Sequence, residues 1–115
     1  MDISSNTRIL KIYLSSTDKY KNEPFYEKLV FLAKKNNMAG ATVLKGVMGF
    51  GASSAVSSTR FWSVSEKLPI IVEIIDEEEK IAGFFNIIKP YIDRVKKGII
   101  VSIEKNEVVF YKSGG

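Results

Sequence analysis

The sequence contains no cysteine and no histidine. Without cysteine it forms neither a disulfide framework nor a thiolate metal site. Without histidine it lacks the commonest general base and the commonest transition-metal ligand. No stretch approaches the roughly 18 uninterrupted apolar residues of a membrane span. The opening residues, MDISSNTRILKIYLSS, carry an acid at position 2 and no apolar run of signal-peptide length. A cytoplasmic protein without membrane insertion is the expectation. Its 115 residues are 45% hydrophobic and 26% charged, which suits one domain over residues 1–115 with an ordinary core. The net charge of +4 at pH 7 permits a polyanionic ligand without demanding one. A mixed Lys/Glu surface with a small lysine surplus is the preferred account of it.

Periodicity gives an order of elements. Residues 8–15 alternate as a strand, with Leu10, Ile12 and Leu14 on one face and Ile9, Lys11 and Tyr13 on the other. Asn22-Glu23-Pro24 reads as a helix start, and Phe25, Leu29, Leu32 and Ala33 recur at helical spacing until Asn36-Asn37 and Gly40. Residues 41–48 form a second strand and residues 68–75, rich in Ile and Val, a third. Asp76 is placed to cap a second helix, with Glu77, Glu78 and Glu79 near the favourable end of its dipole. Ile81, Phe84, Phe85, Ile88, Ile92 and Val95 mark the buried stripe of that helix, Pro90 should kink it, and Gly98 should stop it. Residues 99–103 and 108–111 then read as a closing hairpin around Lys105-Asn106. The sum is an α+β, ferredoxin-like βαββαβ sandwich: an antiparallel sheet with two helices on one face.

Ile9, Tyr13, Ile71, Ile75 and Ile100 fall on the parity opposite the core residues Leu10, Ile12, Ile70, Val72 and Ile74. A monomer would expose them as one apolar patch, which soluble monomers seldom do. The second face of the sheet is therefore expected to be covered by further copies of the chain.

Residues 49–67 separate the second and third strands, far more than the about two to five residues of a hairpin turn. Gly46, Gly49 and Gly51 permit close backbone approach to a ligand, and successive N–H groups there could cradle a phosphate. The motif GVMGFG lacks the GKS/GKT ending of a P-loop. Ser53, Ser54, Ser57 and Ser58 have no accompanying base and read as solvated chain. Arg60 beside Phe61 and Trp62 can bind phosphate and stack on a base, or the two rings can anchor the loop. Lys96, Lys97 and Gly98, with Arg94, sit where the second helix meets the last strand, and satisfying the negative helix end explains the cations. The same turn can approach the base of the long loop, where Lys45 would complete a phosphate cluster. Helix capping accounts for the DEEE run, so no metal site is assigned.

The same topology hosts unrelated functions. RNA-recognition domains carry stacking aromatics on the third strand, where this chain has PIIVEII, so nucleic acid is not the expected partner. Acylphosphatases bind phosphate in an Arg- and Gly-bearing loop after the first strand, where this chain has LSSTDKYKNEP. Catalysis of that type, and enzyme activity generally, is not expected; an acylphosphatase-like hydrolase is the last alternative. ATVLKGVMGFG, a long loop, LPIIVEIIDEEEKIAGFF and VKKGIIVSIE together resemble the PII-like group of domain-of-unknown-function family 190. More distantly, the chain is similar to PII signalling proteins and CutA-type trimers. The resemblance implies a homotrimer with facing sheets, residues 49–67 in the place of the PII T-loop, and Lys96-Lys97-Gly98 in the place of the phosphate-contacting B-loop. No tyrosine lies between Phe50 and Lys67, so uridylylation does not carry over. The expected function is a small-molecule sensor that binds an adenine nucleotide (ATP, ADP, AMP or cyclic AMP) or similar anion between subunits. Lys45, Arg60, Lys96 and Lys97 would neutralise phosphate, Gly46, Gly49, Gly51 and Gly98 would supply close backbone, and loop 49–67 would meet a partner protein. A ligand-free oligomeric interaction protein is the alternative.

Overall fold

A computed structural model describes residue 1 and residues 6–52, 57–58 and 67–114. In chain order the elements are β1 (Thr7–Ser15), β2 (Lys19–Tyr20), β3 (Glu23–Pro24), α1 (Phe25–Lys35), β4 (Gly40–Lys45), β5 (Met48–Gly49), β6 (Ser57–Ser58), β7 (Pro69–Glu77), α2 (Glu78–Arg94) and β8 (Ile100–Asn106). Four of the strands form one antiparallel sheet in the order β4-β7-β1-β8. This is the ferredoxin-type α+β arrangement expected from the periodicity. Alternation in β1 and β7 sends Leu10, Ile12, Leu14, Ile70, Val72 and Ile74 to the helix side. There they join Phe25, Leu29 and Leu32 of α1 and Ile81, Phe84 and Ile88 of α2 in one core. Each such side chain, fully buried, contributes about 1.5–3 kcal/mol of transfer free energy.

Local chemistry sets most of the boundaries. Lys21 and Asn22 both have positive φ (48° and 69°), which turns the chain tightly between β2 and β3 and delivers Pro24 to the α1 N-cap. At the other end of α1 the Asn36 N–H and its Nδ2 both donate to Leu32 O, and Asn37 takes φ 58°. Pro90 lies inside α2, which runs through it.

Several boundaries differ from the sequence reading. Gly40 opens β4 instead of merely following α1, and β4 ends at Lys45, short of Met48. Asp76 is still a strand residue: Glu77 is the α2 N-cap, and Asp76 is buried, accepting the Ala39 and Glu77 N–H groups. It is thus a clasp between two connections and not a helix cap. α2 ends at Arg94 with Val95 turned away and buried, so Gly98 lies beyond the helix. The closing hairpin is absent among the described residues. Lys105 and Asn106 pair with Arg8 and Thr7 as the end of a single strand, and Thr7 Oγ1 donates to Asn106 O at 2.7 Å. Residues 107–112 follow without regular structure.

Candidate functional site

The register builds the second sheet face in rows. Leu44, Ile71, Tyr13 and Ile100 lie side by side, then Thr42, Glu73, Lys11 and Ser102, then Gly40, Ile75, Ile9 and Glu104. Two largely apolar rows therefore flank a polar one. In the polar row Lys11 Nζ is 3.0 Å from Glu104 and 3.9 Å from Glu73. Its hydrogen bond to Glu104, reinforced by the charge of both carboxylates, raises the Lys11 pKa above its ordinary 10.5 against a smaller opposing effect of desolvation.

At one end of this face lies a cavity of about 600 Å³. Its floor is the Tyr13, Ile71 and Ile100 row with Ser15 and Ser102 beside it. Gly46, Met48, Gly49, Phe50 and Gly51 form one wall, from the stem of the long loop, and Lys67 and Gly98 complete the rim. The stem exists because β5 pairs with β6, Met48 opposite Ser58 and Gly49 opposite Ser57. An apolar floor with exposed backbone and one cation suits a flat, partly apolar group carrying an anionic end.

The expected site residues divide. Gly46, Gly49, Gly51 and Gly98 come together at the cavity. Lys45, Lys96 and Lys97 are exposed and stand outside its lining, each within two residues of a glycine that lines it. Arg60, with Phe61 and Trp62, lies outside the described residues. Gly46 has a structural reason of its own: a Cβ there would meet Pro69 Cγ at 2.8 Å. Close approach at Gly46 is thus to Pro69 of the same chain. Lys67, Tyr13, Ser15 and Ser102 line the cavity without being among the expected site residues. Parity places Tyr13 on the second face, but only the pairing of Tyr13 with both Ile71 and Ile100 makes it a cavity floor.

The connection after β1, where an acylphosphatase would hold phosphate, is occupied structurally. Asp18 is buried, its carboxylate accepts the Ser15 N–H, and its carbonyl accepts the Phe25 N–H. Among the described residues no group of three or more acidic side chains is placed to hold a metal ion. No helix among them is long and apolar enough to cross a membrane.

Residues 7–108 match domain-of-unknown-function family 190, described as uncharacterized ACR. A UPF0166 protein of Aquifex aeolicus is 33% identical over 103 residues, covering 90% of this chain and 93% of that one. A second, from Methanocaldococcus jannaschii, is 39% identical over 74 residues, 64% of this chain and 68% of that one. Among solved structures, a putative PII-like signaling protein from Thermus thermophilus superposes with a TM-score of 0.63 at 20% identity, over 91% of both chains. CPII, a nitrogen regulatory PII-like protein from Thiomonas intermedia K12 bound to ADP, AMP and bicarbonate, gives 0.61 at 16% identity over 90% of both. With a family match across nearly all of its length and the PII-like fold of these structures, the chain belongs to domain-of-unknown-function family 190.

Proposed function

We propose that this chain is a small-molecule-sensing regulatory protein of PII-like type. It binds an adenine nucleotide or similar anion in clefts between the subunits of a homotrimer and presents loop 49–67 to a partner protein. The observation that carries this reading is the cavity of about 600 Å³, where the loop stem meets Gly98 and the apolar sheet face. That volume lies within the about 300–1,000 Å³ typical of small-molecule sites. The floor takes the base, and the wall at Gly49 and Gly51 lets backbone approach the phosphate, the Gly46 N–H being committed to Pro69 O. Lys67 alone leaves most of a diphosphate charge unmatched; Lys45, Arg60, Lys96 and Lys97 supply the remainder, in part from a neighbouring subunit. CPII, bound to ADP and AMP, supports these nucleotides as first ligands to try.

The test is isothermal titration with ATP, ADP, AMP and cyclic AMP, with mass in solution determined on the same sample. A trimer that binds one of them at micromolar strength supports the sensor. A trimer that binds none favours a ligand-free interaction protein, for which the exposed Val47, Met48 and Phe50 at the loop base would be the docking residues.

A further inference from the structure

Two incomplete features lie at different places in the fold. The first is the segment after β8, Glu107-Val108-Val109-Phe110-Tyr111-Lys112. Its composition is that of a strand, yet it has no regular structure and, among the described residues, no hydrogen bond joins it to the rest of the chain. Val109 is 83% exposed and Phe110 74%. The second is the outer edge of β4. Gly46 N–H donates to Pro69 O, so by the alternation of an antiparallel ladder Thr42 and Leu44 also face β7. Ala41, Val43 and Lys45 therefore turn their N–H and C=O groups to the open edge, where no partner is found among the described residues.

We infer that residues 107–112 add as a further strand to the open β4 edge of a second copy of this chain. The inference rests on the self-association in the functional reading above and specifies one of its contacts. Apolar pattern favours the match. Val108, Val109, Phe110 and Tyr111 do not alternate with polar residues, so a strand made of them needs both of its faces covered. Beside β4 it would continue the Leu44 row on one face and lie next to Val43, which packs on the core, on the other. The opposite sheet edge, β8, carries Glu104 and Lys105, charges of the kind that discourage strand addition. β4 has only Lys45, at its end.

Reach excludes the same subunit. β4 and β8 are the two edges of the sheet, separated by β7 and β1. Reaching a position outside β4 from β8 crosses four strand spacings of about 4.8 Å, which takes roughly six extended residues. A tail leaving Asn106 would spend Glu107 to Lys112 on that crossing, so these residues could not themselves pair with the β4 edge of their own subunit. A neighbouring subunit imposes no such crossing.

The experiment uses the full chain, a chain ending at Asn106, and the single variants Val109→Pro and Phe110→Pro, each followed by mass in solution and residue-resolved amide exchange. In the assembled full chain the N–H groups of Ala41, Val43 and Lys45 should exchange on the order of tenfold or more slowly than in the truncated chain. In an added strand only one of two successive N–H groups faces β4, so one proline variant should behave like the truncation and the other like the parent. The same contrast decides the matter if truncation dissociates the assembly. Protection at β4 that survives truncation, or two proline variants both like the parent, overturns the inference while leaving self-association intact. A monomeric parent chain overturns both.

Discussion

Gly46 donates its N–H to the carbonyl of Pro69 at 2.7 Å, and a Cβ on Gly46 would come within 2.8 Å of the Pro69 ring. This contact continues the β4–β7 ladder by one pair and fixes where the long loop departs. A methyl group there has no flexible neighbour to displace, because the Pro69 ring is tied to the backbone. Gly46→Ala should therefore cost about 1–3 kcal/mol, as overpacking does. Chemical denaturation of G46A, P69A and the double variant checks it. The double variant should be more stable than the sum of the singles implies, since removing the ring removes the clash. Additive effects would show that the two residues do not compete for the same space.

Asp76 joins two chain reversals. Its carboxylate accepts Ala39 N–H at 2.8 Å and Glu77 N–H at 2.7 Å, and Lys80 Nζ lies 3.3 Å away. Lys80 also donates to Asn37 O. Asp76→Ala strands two N–H donors in a buried place and should destabilise by roughly 2–4 kcal/mol, whereas Lys80→Ala, on an exposed cation, should cost less than about 1 kcal/mol. Equal losses in urea unfolding would contradict the clasp.

Lys11 is held above its ordinary pKa by Glu104 first. A raised lysine favours the folded state while the amine is protonated. Its contribution is complete below the ordinary value of 10.5 and disappears as pH rises through the higher folded value. NMR titration of the Lys11 side chain should show this shift, and Glu104→Gln should bring the midpoint back down. A midpoint indifferent to Glu104 would remove the polar row as its cause.

Lys67 is the one charged residue lining the cavity among the described residues. Lys67→Ala should weaken nucleotide binding about tenfold to a hundredfold, the loss of one charge-assisted hydrogen bond, with the thermal transition little changed. The pair Lys96→Ala and Lys97→Ala should weaken it too, without unfolding the protein, and titration calorimetry ranks the two effects. Affinity unchanged in both would move the anion away from this end of the sheet.

The α1 and α2 stripes and the alternation of β1 and β7 are legible in the sequence because each is a repeat within one segment, imposed by its own burial. The two-sided apolar character of the strands is legible for the same reason. Strand ends are less so. Residues 46–48 carry nothing that forbids a strand, and β4 stops where it does because Pro69 lies opposite Gly46. Asp76 resembles a helix cap from its neighbours, and only the approach of Ala39, distant in sequence, gives its carboxylate another use. The glycines of the site stand out by their type. Lys67, Tyr13 and Ser102 do not, since nothing adjacent to them distinguishes them from ordinary strand or loop residues.

The two helices and the four long strands, their order, the buried sides of α1, α2, β1 and β7, and the family of the chain follow from the sequence. Those properties are written in spacings of two and of three to four residues, and in short motifs. The register does not follow from it. Folding in three dimensions sets Tyr13 between Ile71 and Ile100, runs β8 on to Asn106, and leaves Val108–Tyr111 without a partner strand among the described residues. Register depends on pairing between segments far apart along the chain, and a single segment carries no record of which residue it will face.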